Sequence, residues 1–210
     1  MKADLKVDNS DRAWDIFGPV VMCQAPYRVI YADPPWPTRT VARNGNGHRT
    51  KDGKRSFIAY ASDPYHTMTR DQIINLPVPE LCDPEGTRLI LWCPWPHLAL
   101  GFEVMSAWGF EYSTGCPWLK TSQSGEPVFG LGFMFRHCTE PLLIGNRGKV
   151  GGWAGNATLG LFKTVREQHS AKPRCVADWI DQRFEGPRIE LFARRPRGNW
   201  VVWGNEVEAG

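Results

Sequence analysis

The residues best equipped for chemistry close the stretch YRVIYADPPW, Tyr27 to Trp36. Asp33 supplies a carboxylate and Trp36 a large aromatic face. Between them, Pro34 and Pro35 remove two backbone donors and fix two φ angles. Together these groups can grip a planar ring that carries an amine. The ring stacks on Trp36, while its exocyclic NH2 donates to Asp33 or to the Pro34 carbonyl. The same four residues also suit an ordinary turn, with Asp33 as a cap and Trp36 in the core. Val29 to Ala32 precede them as a short apolar, β-branched and aromatic run, the pattern of a buried strand. Open α/β sheets bind ligands in the crevice beyond such strand ends.

The chain that must position this turn has 210 residues, enough for one domain with a full core, and its 42% hydrophobic and 22% charged residues are those of a globular protein. The polar start, MKADLKVDNSDR, lacks the apolar region of a secretory signal, and no run reaches membrane-spanning length. A cytosolic location, or a nuclear one in a cell with a nucleus, is expected, with no membrane partner. Six cysteines are scattered without C-x-x-C or finger spacing, so reduced thiols and no metal site are expected. Neither G-x-x-x-x-G-K-[ST] nor G-x-G-x-x-G occurs, which removes support for an ATPase or a dehydrogenase.

The net charge of +3 is mild, but its distribution is uneven. Residues 38–56 hold Arg39, Arg43, Arg49, Lys51, Lys54 and Arg55 against the single acid Asp52. A long basic loop beside a base-gripping turn can neutralise phosphates and bring a polynucleotide to it. Tyr65 and His66 follow, and Thr69 with Gln72 makes a capping box opening a short helix through Asn75. Leu89 to Cys93 is a second buried-strand run. Leu98, Phe102 and Met105 recur at helical spacing as core, Gly109 stops that helix, and Phe110 to Trp118 starts a further strand. This alternation of strand and helix predicts a parallel sheet with helices on its faces.

Lys120 and Arg136 flank a polar loop. Pro173 opens a helix whose apolar stripe is Val176, Ile180 and Phe184, and Lys172 stands at its entrance, where it can reach an anionic ligand. Ile189 to Ala193 and Trp200 to Trp203 are the last strands. Beyond them, Glu206 can accept from ribose hydroxyls and Asn205 can bond ribose or adenine edges.

DPPW is the signature of the MT-A70 family of adenine-N6 methyltransferases, and this chain resembles that family well beyond the tetrapeptide. Similar segments are PYHTMTRDQIINLPVPEL (64–81), LILWCPWPHL (89–98), AWGFEY (107–112), WLKT (118–121), HSAKP (169–173) and IELFARRPRGNWVVWGNE (189–206). They occur in the family's order. The resemblance implies a single Rossmann-like, S-adenosylmethionine-dependent α/β domain over residues 27–206, after an N-terminal segment, 1–26, that packs on the core. The sheet is permuted: the catalytic turn, Asp33, Pro34, Pro35 and Trp36, comes early and the cofactor segment late. Cofactor contacts implied by the resemblance are Asp15, Ile16, Asp33, Arg194, Arg197, Asn199, Asn205 and Glu206, with Lys172 on the methionyl carboxylate. Tyr65 is expected to face the active site, and the resemblance implies that Lys120 and Arg136, in a region that shapes the family's acceptor pocket, are candidate substrate contacts.

The expected reaction is direct methyl transfer to adenine N6. DNA is the favoured polymer, because the chain resembles the short bacterial and phage members that modify DNA adenines, and RNA-modifying members share the core. A noncatalytic partner subunit is the alternative in another class, but such members typically lose the Asp or Trp of the motif. Relatives that methylate a protein glutamine carry Asn-Pro-Pro instead. A homodimer, one copy presenting nucleic acid and the other methylating it, is a further expectation.

Overall fold

The computed structural model describes residues 16–18, 21–37, 67–130, 134–152, 154–166 and 171–204. The run that ends in Asp33 forms β1 (Val29–Ala32), buried along its whole length. It lies near the middle of a seven-stranded sheet. The other strands are β2 (Gly86–Trp92), β3 (Glu111–Thr121), β4 (Thr139–Gly148), β5 (Phe162–Val165), β6 (Arg188–Leu191) and β7 (Val201–Trp203), and the order across the sheet is β5-β3-β4-β2-β1-β6-β7.

Alternation along β1 and β2 divides the core between the two faces of the sheet. Ile30, Ala32, Leu89, Leu91 and Cys93 join the larger cluster. Val29, Tyr31, Ile90 and Trp92 join the smaller one, with Val176, Ile180 and Phe184. Besides helical residues at 16–18 and 21–24, the described residues form the helices α1 (Arg70–Ile74), α2 (Leu98–Ala107) and α3 (Arg174–Arg183). The Thr69–Gln72 capping box is present in both directions. The stripe of α3 is buried as its spacing predicts. Gly109 stops α2 with φ +79°, a left-handed value that suits glycine. Phe102, expected in the core, is instead exposed and meets Tyr112 edge to face. The buried positions on α2 are Gly101, Val104 and Met105.

The expectation of a parallel sheet needs one correction. β1 pairs in parallel with β2 and β6, β6 with β7, and β3 with β5, but β4 runs antiparallel to both β2 and β3. The reason is the connection between β3 and β4: its described residues, 122–130 and 134–138, hold no crossover helix, and a direct return leaves neighbouring strands antiparallel. The start of β4 therefore lies at the edge where β1, β2 and β3 end. Trp118 pairs with Glu140, and Trp92 pairs with Leu142.

Near the N-terminus, Phe17 and Val21 are buried in the larger cluster. Trp203 donates its indole N–H to the Ile16 carbonyl at 3.1 Å, and its ring meets Phe17 edge to face. Among the described residues, no helix is long and apolar enough to cross a membrane.

Candidate active site

The Asp33 turn is tied down by main-chain bonds. Asp33 N–H donates to the Leu191 carbonyl at 3.4 Å, extending β1 along β6, and Trp36 N–H donates to the Pro34 carbonyl at 2.8 Å. The Pro35 carbonyl accepts from Met68 N–H at 2.9 Å. The Pro34 carbonyl keeps a second lone pair, so it can still accept from a ligand.

Trp36 departs from the expected stacking platform. Its indole is 5% exposed, donates Nε1–H to the Trp92 carbonyl at 3.1 Å, and lies parallel to His97 with centroids 6.0 Å apart. A buried indole N–H needs an acceptor, and the carbonyl at the end of β2 supplies one. Trp36 thus anchors the turn to β2 and presents no open face to a substrate ring. Replacing Trp36 by phenylalanine removes that bond and should destabilise the protein by about 1–3 kcal/mol, read as a lower urea midpoint at unchanged m-value. An unchanged midpoint would contradict the anchoring assignment.

Asp33 meets Lys172, which stands two residues before α3. Lys172 Nζ lies 2.8 Å from Asp33 Oδ2 and 3.0 Å from Glu140 Oε1. Glu140 Oε2 lies 2.6 Å from Lys120 Nζ. Four charged groups therefore form a chain of alternating sign, Lys120, Glu140, Lys172 and Asp33, with no net charge. Lys172 also sits 5.6 Å from the centre of the Trp92 ring, and Trp92 Nε1–H donates to the Tyr31 hydroxyl at 2.6 Å. Lys172 therefore stands over a hydrogen-bonded aromatic pair, Trp92 and Tyr31.

Burial acts first on Asp33, Glu140 and Lys172, but with different outcomes. It raises the Asp33 pKa, with the Glu140 charge adding and Lys172 opposing. It also pushes Glu140 up, yet Lys172 and Lys120 outweigh it and hold that carboxyl at about 2. Burial would lower Lys172, but the two carboxylates keep its pKa raised. Glu140 is thus the fixed anion, and Asp33 is the carboxylate that can accept a proton.

Glu140 is the site residue that reading the sequence missed. The available signal was an acid followed by Pro141, Leu142 and Leu143, a charge at the mouth of a buried strand. Lys120, expected to touch substrate, is instead engaged with Glu140 and the Trp118 ring, 4.8 Å away. Lys172, expected on a cofactor carboxylate, is held by Asp33 and Glu140.

The expected cofactor residues divide in a similar way. Arg194 is half-buried beyond β6, and its charge is among those acting on Asp33. Phe192, just after β6, has φ 64°, an unusual value for a non-glycine residue that turns the chain out of the strand. Beside it, Ala193 N–H donates to the Trp203 carbonyl at 2.9 Å. Arg197 is paired with Glu190 at 2.7 Å, and Asn199 is exposed. Arg136 is exposed and covers the Phe129 ring at 4.2 Å. Asp15, Arg39, Arg43, Arg49, Lys51, Lys54, Arg55, Tyr65, His66, Asn205 and Glu206 lie outside the described residues.

An acid-ended central strand in parallel between β2 and β6, with β4 reversed beside β2, makes the sheet of a Rossmann-like methyltransferase domain. The chain belongs to the MT-A70 family, whose model matches residues 27–206. It is 32% identical over 192 residues to the type II methyltransferase M.MunI of a Mycoplasma species, an alignment covering 86% of this chain and 78% of that protein. It is 28% identical over 191 residues to the N6-methyladenosine RNA methyltransferase MTA1 of Pyricularia oryzae, covering 86% of this chain and 47% of the relative. Against the human N(6)-adenosine-methyltransferase catalytic subunit METTL3 the identity is 27% over 187 residues, covering 87% of this chain and 28% of that subunit.

Proposed function

We propose that this protein transfers a methyl group from S-adenosylmethionine to N6 of adenine in DNA. The observation that carries the reading is the Asp33 carboxylate, held at the carboxyl end of β1 by Lys172 at 2.8 Å and set beside the Pro34 carbonyl. Adenine N6 is a weak nucleophile because its lone pair is conjugated with the ring. Asp33 and the free lone pair of the Pro34 carbonyl accept its two N–H bonds, orient the amine and favour the positive charge that grows as the C–N bond forms. The methylated nitrogen must then lose a proton, and Asp33 is placed to take it.

The donor set at this edge fits S-adenosylmethionine, which carries a sulfonium, an ammonium and a carboxylate. The acids Asp33 and Glu140 favour its cationic groups, and Arg194 can pair with its carboxylate; Asn205 and Glu206 are proposed for its ribose and adenine. When bound, the cofactor supplies an electrophilic methyl group. Lys172 is proposed to hold Asp33 and Glu140 in place, and the third N–H of its ammonium can donate to the cofactor's carboxylate.

Similarity to M.MunI over most of both chains supports DNA, while similarity to MTA1 and METTL3 makes RNA the competing substrate. A target base within a duplex must be flipped, at a cost of roughly a few kcal/mol, so unpaired substrate should react faster. Nucleoside mass spectrometry after incubation with single-stranded DNA, duplex DNA or RNA tests this. N6-methyladenine from DNA, abolished by Asp33→Ala, is the expected result. Product from RNA alone would reassign the polymer, and no product on any polymer would overturn the reading.

A further inference from the structure

Two turns leave the sheet side by side. β1 ends in Asp33-Pro34-Pro35-Trp36, and its parallel neighbour β2 ends in Cys93-Pro94-Trp95-Pro96-His97. The second turn puts Trp95 at the surface, 38% exposed, with its indole N–H donating to Thr139 Oγ1 at 3.0 Å. Thr139 directly precedes Glu140 of the buried ion chain. The Trp95 ring lies almost parallel to His137, with centroids 5.6 Å apart, and Phe135 follows 6.3 Å beyond His137. Phe135 is 70% exposed, and Phe129, also exposed, carries the Arg136 guanidinium on its face. A strip of solvent-facing rings interleaved with cationic or protonatable groups thus begins one residue from Glu140.

Large exposed aromatics grouped on one surface mark an interaction site. From this arrangement we infer that the strip of Trp95, His137, Phe135 and Phe129 is a stacking track for unpaired bases flanking the target nucleotide. The inference rests on the proposed nucleic-acid substrate and adds where its neighbours lie. Flanking nucleotides are covalently tied to the base at Asp33, so they must pass over the surface adjoining the ion chain. Every base has a π-face that a ring can receive whatever its sequence, and Arg136 adds a charge suited to phosphate. A strip of Trp, Phe and Arg also suits a contact between two copies of this chain, and the test below separates that occupant from a nucleic-acid strand, which the adjoining ion chain favours.

The test is fluorescence anisotropy with a short labelled single-stranded oligonucleotide containing one adenine, on wild type, Phe135→Ala, Trp95→Ala and Trp95→Phe. Each alanine variant should bind about tenfold more weakly, and Trp95→Phe should recover most of that loss. An abasic site beside the adenine should weaken wild type similarly while adding little to Trp95→Ala. In methyl-transfer assays the alanine variants should raise KM with kcat within about twofold. Phe135 lies largely outside the core, so its variant remains informative if Trp95→Ala unfolds. Unchanged affinity in Phe135→Ala and Trp95→Ala would overturn the inference. So would a wild-type dimer that Phe135→Ala dissociates without altering oligonucleotide binding, which would assign the strip to a second copy. Normal binding by the variants alongside wild-type N6-methyladenine formation sinks the track alone. Binding through the strip without any methylated product sinks the adenine reading and leaves the track standing.

Discussion

Asp33→Asn is expected to lower kcat by about 10²–10³-fold while leaving the fold intact. The amide keeps the shape of the carboxylate but replaces an ionised acceptor, and it cannot take the proton that N6 sheds. The pH profile distinguishes this from simple misplacement. In the proposed reaction Asp33 works ionised, and burial raises its pKa above the ordinary 3.8. Wild-type kcat should therefore be level above the raised value and fall as pH drops through it. In Asp33→Asn that acid limb should vanish, leaving a low and flat rate. Nearly full activity in the variant, or an acid limb that survives it, would remove Asp33 from the chemistry.

Lys172→Met should be nearly as damaging, and in two ways. Lys172 is the shared cation between two buried carboxylates. Removing one partner of such a group typically costs about 3–5 kcal/mol, because an uncompensated buried charge remains. Proton uptake by Asp33 will relieve part of that cost. The same uptake moves the acid limb of kcat to higher pH, so activity near neutrality should fall and recover partly in alkaline buffer. Stability should change with pH as well. The Glu140 pKa drops from 4.5 to about 2 in the fold, so its contribution is present above 4.5 and fades as pH falls toward 2. Lys172 has a raised folded pKa, so its contribution is present below 10.5 and is lost as pH rises through the folded value. Urea midpoints of the variant should lie below wild type most clearly between these limits and converge at both extremes. Equal midpoints across the range would show that the ion chain adds nothing to stability.

The Asp33 turn could be read from the sequence because its physics is local. A β-branched run, an acid and two prolines dictate a strand end and a stiff exit whatever surrounds them. The capping box at Thr69 and the stripe of α3 were legible for the same reason. Trp36 shows where local reading stops: whether an indole faces a ligand or the core depends on which acceptor its N–H finds. That acceptor is the carbonyl of Trp92, on another strand. Glu140 was hidden by a longer-range fact. It reaches Asp33 only because β4 runs backwards, and the reversal follows from a connection that alternation of strand and helix does not reveal. β5, a short edge strand with alternating exposure, carried too little hydrophobic signal to be seen.

The place of β1 in the sheet also bears on how the protein is made. Val29 pairs with Arg88 on one side and with Arg188 on the other. The second partner is synthesised only after most of the chain, and Lys172 only shortly before it. Until then β1 has one neighbour, and the Asp33 carboxylate lacks its counter-charge. Pairings so distant in sequence pay a large loop-closure entropy and form slowly. A ribosome-bound chain should therefore acquire methylating ability only when its last strands have emerged, so that premature termination yields silent fragments rather than unregulated modifiers.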